Sequence, residues 1–468
     1  MKSKHKLLLV LAGYCLLLSS CEKSSFLDIK PLNTTLTEEA IKTPEDLQKL
    51  MIGAYNQIRS AGFLGGTALI AGDVIADDAI TTNSTFDWSQ IVGHSMDLFN
   101  PPGRNTWNNT YQAINRANVA SSSLLADPIL QSASQDVVNG LKADAAYIRG
   151  LGLFHLVRLF GLPYSDQTKN TPGMGVPIRL KGTAIIADAF EVAQRSTVEE
   201  VYTQVINDLK FAAANLPGTR TWNSGLATRD AAKALLAKVY FFKGDMANAA
   251  VEARPVMNSG QFALDADIVA KYSRAQLKNA TKEVIFSIPS TAASDDSWGT
   301  MRTSYRSNNS TGTLPQWRPS PGLVAAHAAN DTRFTKLYRT ANNIVYSTKF
   351  NYEYMDGIVT GFDELLLIYA EALASSANAT DRTEAVSWLN KIETRAYGTP
   401  QTLVTATQSA IIAAVQKERR LELALRGERL HELKRLRQIV RGDAWDSRKI
   451  LFQIPDNEQN GNPGITVN

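Results

Sequence analysis

TRDAAKALLAKVYFFKGDMANAAVEARPV, residues 228–256, holds the repeating unit of this chain. Ala231, Leu235, Val239 and Phe242 recur at three- and four-residue steps, which places them on one face of a helix beginning near Thr228. Lys243-Gly244-Asp245 makes a tight break, and Ala249, Ala250, Ala253 and Val256 give the following helix a face of small residues. Small side chains let two helix backbones approach closely, so the stretch reads as a packed helix pair.

Similar units lie on both sides. Upstream, Ser196-Thr197-Val198-Glu199 reads as a capping box that opens a helix carrying Val201, Val205, Leu209 and Ala212, with Pro217-Gly218 ending it. Downstream, Glu364 to Ala374 pairs with Thr383 to Arg395, and Ser409 to Leu425 with Glu428 to Val440. Nearer the N-terminus, Thr43-Pro44-Glu45 opens a helix bearing Leu47, Leu50, Met51, Ala54, Tyr55 and Ile58, which ends at Gly62, Gly65 and Gly66. Trp107 opens another, and Ala143 to Phe160 stays helical up to Gly161-Leu162-Pro163. Only Glu283 to Ile288 has the alternation of a strand. The expected fold is mainly α: tetratricopeptide-like helix pairs forming a single scaffold over residues 21–468, with little strand and two loop-rich insertions at about 73–104 and 290–321.

The first 20 residues read as a signal peptide. Lys2, Lys4 and Lys6 precede an apolar run from Leu7 to Leu18, too short to span hydrocarbon, and Leu18-Ser19-Ser20-Cys21 closes it. That ending resembles a lipobox, in which cleavage leaves Cys21 as a lipidated N-terminus; a plain signal peptide that happens to contain Cys21 is the alternative. Residues from about 21 to 36 would then tether the folded domain. The other cysteine, Cys15, falls in the removed segment, so the mature chain offers no disulfide, thiol nucleophile or cysteine-ligated zinc. Removing three lysines lowers the net charge from +4 to +1, far from the basic excess of a nucleic-acid binder.

No motif for a cofactor, a metal or nucleophilic catalysis is present. His94, His155, His327 and His431 are not spaced as ligands on one helix. Asp73, Asp77 and Asp78 share a loop, and paired carboxylates are what a glycoside hydrolase needs, but carboxylates also accept hydrogen bonds from bound sugar hydroxyls. The cluster Glu418, Arg419, Arg420, Glu422, Arg426, Glu428 and Arg429 reads as helix-surface ion pairing, with Leu421, Leu423, Leu425, Leu430, Leu433 and Leu436 buried behind it.

Aromatic residues in the insertions are the better candidates for binding. Phe86 and Trp88 lie in the first, and Trp298, Tyr305 and Trp317 in the second, among Ser, Thr, Asn, Gly and Pro. An exposed ring can stack on the C–H face of a sugar while Asp77, Asp78, Asn83, Arg302 or Asn308 meets its hydroxyls. The competing reading is that each ring only pins its loop to the scaffold, and for Trp107 that reading is preferred.

A set of local features runs through the chain in a fixed order. It comprises Phe26-Leu27-Asp28-Ile29-Lys30-Pro31, Trp107 to Asn118, Phe160-Gly161-Leu162-Pro163-Tyr164 and Gly175-Val176-Pro177-Ile178. It continues with Arg229 to Asp245, Tyr369-Ala370-Glu371-Ala372, Glu418 to Glu422 with Gly427 and Arg429, Ile454-Pro455 and Asn462-Pro463. In that order they resemble the SusD/RagB family of outer-membrane nutrient-binding lipoproteins; Arg426 and His431-Glu432-Leu433 depart from its usual pattern. The resemblance implies a surface-exposed lipoprotein, anchored in the outer membrane through Cys21, that captures an oligosaccharide and sits as a lid on a SusC-like TonB-dependent transporter. A peptide-binding lid of the RagB type is the alternative, and no enzymatic activity is expected. It further implies a ligand site between loops of the N-terminal region and a later insertion, which favours Trp88, Trp298, Tyr305 and Trp317 with Asp77, Asp78 and Arg302.

Overall fold

The computed structural model describes residues 40–468, apart from 82–84, 186–187, 189–190, 222–223, 274–280, 291–296 and 308–313. The signal peptide, Cys21, the tether, Asn83 and Asn308 therefore lie outside the described residues. Thr43 to Asn468 forms one compact body.

Its first helix, α1 (Pro44–Ile58), starts as the sequence predicts: Thr43 and Asp46 cap each other's backbone amides, and Pro44 takes the position where a missing N–H costs nothing. The first insertion is less loop-like than expected. It follows α2 (Thr67–Val74) and contains the short strand β1 (Ala79–Thr81) and helix α3 (Phe86–Val92). Trp107 does not open its helix: α4 (Pro101–Ser121) begins six residues earlier, because Asn100 accepts from the Gly103 amide and Pro101 and Pro102 fit the first turn. After α5 (Ala126–Ser132), α6 (Gln135–Phe160) is the longest helix described.

Helix α7 (Val198–Asn215) carries the expected capping box one residue later than read, on Thr197 and Glu200. Thr197 has the extended backbone a cap requires, whereas Glu199 is turned to Lys243 and Tyr164. Then come α8 (Arg229–Lys243) and α9 (Met246–Met257), the pair quoted at the outset, with Gly244 at φ 83° closing α8 and Asp245 capping α9. Strand β2 (Val284–Ile288) matches its prediction. The second insertion holds α10 (Gly299–Tyr305) and β3 (Trp317–Pro319), and is followed by α11 (Pro321–Ala326), α12 (Thr332–Leu337), β4 (Tyr338–Ala341), β5 (Ile344–Ser347) and β6 (Gly357–Gly361). The C-terminal helices are α13 (Phe362–Ala374), α14 (Ala379–Tyr397), α15 (Gln408–Glu422), α16 (Arg429–Arg435) and α17 (Asp456–Gly461). α16 stops short of the expected Val440 because the chain turns at Arg437, whose φ is 54°.

The helices pack in sequence as a spine: α1 on α4, α4 on α6, α6 on α7, α7 on α8, α8 on α9, α9 on α13, and α13 on both α14 and α15. Leu235, Val239 and Phe242 are buried along it, as the periodicity predicts. Among the described residues, strand content is limited to three two-stranded antiparallel ladders, β1 with β3, β2 with β6 and β4 with β5. No described helix is long and apolar enough to cross a membrane.

Candidate functional site

The β1–β3 ladder joins the two insertions. Ala79 pairs with Pro319, Ile80 with Arg318 and Thr81 with Trp317, so the chain leaves β1 and enters β3 at the same end of the ladder. Ser320 tightens the junction, its amide donating to the Asp78 carbonyl and its hydroxyl to that of Asp77. On α3, Trp88 is half-buried and meets Trp317 edge-on, with ring centroids 5.3 Å apart. Phe86 on the same helix is 76% exposed, and Phe99 and Leu314 expose further apolar surface on the two insertions. The joined insertions therefore offer one half-covered indole backed by a second, and separately an open phenyl ring on the same short helix.

The other aromatic candidates are not exposed. Trp298, Tyr305 and Trp317 are 1%, 0% and 0% accessible, which corrects the expectation of a four-ring platform. Trp298 and Tyr305 pack on Phe350, at 5.9 and 5.2 Å, and so fasten the second insertion to the scaffold. The pinning function that was the competing reading is what these three rings perform. Arg302 on α10 is half-buried, and Asn83 and Asn308 lie outside the described residues.

Asp77 and Asp78 also fasten structure. Arg420 donates to Asp78 through Nε at 2.9 Å and Nη2 at 2.7 Å, and Arg429 Nε donates to Asp77 at 2.6 Å. Asp73 accepts from the Gly427 amide at 3.0 Å. Burial pushes the Asp73 and Asp78 carboxyls up; at Asp77 burial acts the same way, but the bond and charge of Arg429 outweigh it and hold the group low. Both arginines belong to the charged cluster, whose partners prove to be distant rather than adjacent along the helix. Arg419 meets Glu364 and Glu432, Glu418 meets Arg333, and Arg426 meets Asp363. Most of this cluster is buried, not laid on a solvated face. Arg420 and Arg429 are thus the residues that hold the first insertion in place, and their signal in sequence was the charge run itself.

Two other places deserve comparison. A cavity of about 480 Å³ is lined by Trp107, Asn108, Tyr111, Asn115 and Arg179, but its polar groups are largely spent internally. Tyr111 donates to the Pro177 carbonyl, Asn118 to that of Arg179, and Trp107 to Glu458. Glu283, Asp363 and Glu422 converge closely enough to hold a metal ion. Lys271 Nζ already sits between them, at 2.7, 2.6 and 3.0 Å, and supplies the positive charge a metal would bring.

Comparison with known proteins agrees with this architecture. Residues 25–241 match a family model described as starch-binding associating with outer membrane, and residues 362–466 match one described as the SusD family. The chain is 26% identical to a SusD-like protein P2 of Formosa agariphila, over 91% of this chain and 90% of that one. A SusD superfamily structure from Bacteroides thetaiotaomicron superposes with a TM-score of 0.78 at 24% identity, covering 91% of this chain and all of that one. A SusD-like carbohydrate binding protein from Bacteroides vulgatus gives 0.73 at 19% identity, covering 90% and 97%.

Proposed function

The chain belongs to the SusD/RagB family, a binding-protein family associated with the outer membrane, and on that premise we propose that it captures an oligosaccharide at the cell surface and delivers it to a SusC-like TonB-dependent transporter. The observation that carries this reading is the joining of the two insertions by β1 and β3, with Trp88 partly open against Trp317. A sugar ring laid on Trp88 would replace water over an apolar face that the rigid backing of Trp317 keeps in position. Arg302 in the second insertion and Asp77 before β1 are both partly exposed and serve as candidate hydroxyl partners. Attachment is assigned to a lipid on Cys21.

Calorimetric titration of the mature protein against a panel of oligosaccharides and oligopeptides tests the ligand class. A glycan should bind, and Trp88→Ala should weaken it by roughly 1–3 kcal/mol, measured well below the variant's own Tm because Trp88 also covers Trp317. Binding of peptides alone would overturn the glycan reading, and a Trp88→Ala variant that binds like the parent would move the site elsewhere. Cys21→Ser should release the protein from the outer-membrane fraction; retention at the parental level would refute the lipid anchor.

A further inference from the structure

Between the end of α6 and α16 lies a cavity of about 20 Å³, lined by Arg158, His431, Lys434 and Arg435 with Tyr164 and Phe242 among its apolar walls. That is room for about one water-sized particle. Its nitrogen donors outnumber their acceptors. Arg158 Nε, Arg435 Nε and His431 Nδ1 are buried with no hydrogen-bond partner among the described residues. Lys434 Nζ, on a side chain that is 4% accessible, donates only to the Arg158 carbonyl at 3.0 Å, although an ammonium has three N–H groups.

Charge counting gives the same sign. Arg158, Lys238, Arg419 and Arg435 are matched by Glu364, Glu371, Glu428 and Glu432 in one connected buried network. Lys434 is a fifth cation, with no carboxylate bonded to it. At the cavity wall the Tyr164 hydroxyl donates to Glu199, which Lys243 already neutralises. An uncompensated buried ammonium is costly, and burial and the neighbouring Arg158 push Lys434 down to about 7.

We propose that this cavity is a binding site for a single halide-sized anion, bonded to Lys434, Arg158, Arg435 and His431 in its Nδ1–H tautomer. Water fits the volume but not the chemistry, since it accepts only two hydrogen bonds and offers the Lys434 ammonium no counter-charge. A monoatomic anion accepts every available N–H and closes the count, while phosphate, sulfate or a carboxylate is too large. The site lies on the scaffold, is built from other residues than the ligand face, and stands whichever nutrient that face takes.

Thermal melts at constant ionic strength compare sodium chloride with sodium gluconate, whose anion cannot enter. Chloride should raise Tm by about 1–2 °C for each tenfold increase above its Kd, gluconate should not, and Lys434→Met should lose the difference. Crystals of the unaltered protein soaked in bromide should show an anomalous peak in the cavity within hydrogen-bond distance of Lys434 Nζ, a readout independent of whether the variant folds. Identical melts in the two salts, or a bromide map with peaks only outside the cavity, would overturn the proposal.

Discussion

Replacing Lys271 with methionine should destabilise the protein by about 3 kcal/mol, and the deficit should shrink in acid. Lys271 is 1% accessible and the three carboxylates around it are all 0%, so no solvent can take over when its charge is removed. Breaking a buried ion pair costs about 3–5 kcal/mol. The lower end applies because each carboxylate keeps another cation. Arg395 remains 2.6 Å from Glu283 and 2.7 Å from Glu422, and Arg426 remains 2.8 Å from Asp363. Methionine nearly conserves the volume, so little cavity cost is added. For a body extending over Thr43–Asn468 the unfolding entropy is about 0.9 kcal/mol per degree, which turns the loss into a Tm drop of about 3 °C. The pH arm follows from the carboxylates. Burial would raise Glu422 and Asp363, but Arg395, Lys271 and Arg426 outweigh it and hold them low, so the parent loses stability as pH falls through their folded values. Glu283 goes the other way: burial outweighs Lys271 and Arg395 and holds its carboxyl above the usual range, so without the ammonium it is the group that takes up a proton. The two melting curves should therefore converge between pH 8 and pH 5. Lys49→Met is the control, since Lys49 is 75% exposed and paired only with Asp46. A drop of less than about 1 °C, or one of equal size at both pH values, would refute the reasoning.

Gly244 and Gly427 both adopt φ 83°, but only Gly427 is crowded, its virtual Cβ falling 2.6 Å from the Leu69 Cα. Gly244→Ala should cost about 1 kcal/mol and Gly427→Ala at least about 1–3 kcal/mol more, read as midpoints in urea unfolding; equal costs would contradict the contact. Leu235→Asp puts a charge on a 3% accessible spine position and should prevent folding or lower Tm severely, whereas an unchanged melt would refute the packing of α8. Burial, reinforced by Lys271 and Arg426, pushes Lys349 down to about 7. Since the unfolded chain holds that proton up to about pH 10, stability should rise from pH 7 to pH 9, and Lys349→Met should flatten part of the rise; an identical pH profile in the variant would refute it.

The spine was legible because its signals are local. In α7, α8 and α9 the apolar spacing, the caps and the break at Gly244 all lie within a few residues of what they specify. The candidate face was legible only in part. Phe86, in a polar insertion, is open, whereas Trp88 two residues on is half-buried against Trp317. Trp298, Tyr305 and Trp317 lie in similar composition and are buried, because their cover comes from elsewhere: Phe350 for the first two and Trp88 for the third. Strands of three residues such as β1 and β3 carry no usable alternation and exist only through each other. Asp78 looked like a ligand-binding carboxylate for the same reason, since its partner Arg420 is 342 residues away. Local patterns assign helices, whereas pairing across the whole chain decides which loop residues are free.

The β1–β3 ladder makes the two insertions a single unit of inheritance. An exchange of either insertion alone with that of a relative would take half of a three-rung ladder and one ring of the Trp88–Trp317 pair, leaving the other half with nothing to bind. A chimera intended to change ligand should therefore transplant both insertions together, cut on the scaffold side of Asp78 and Ser320.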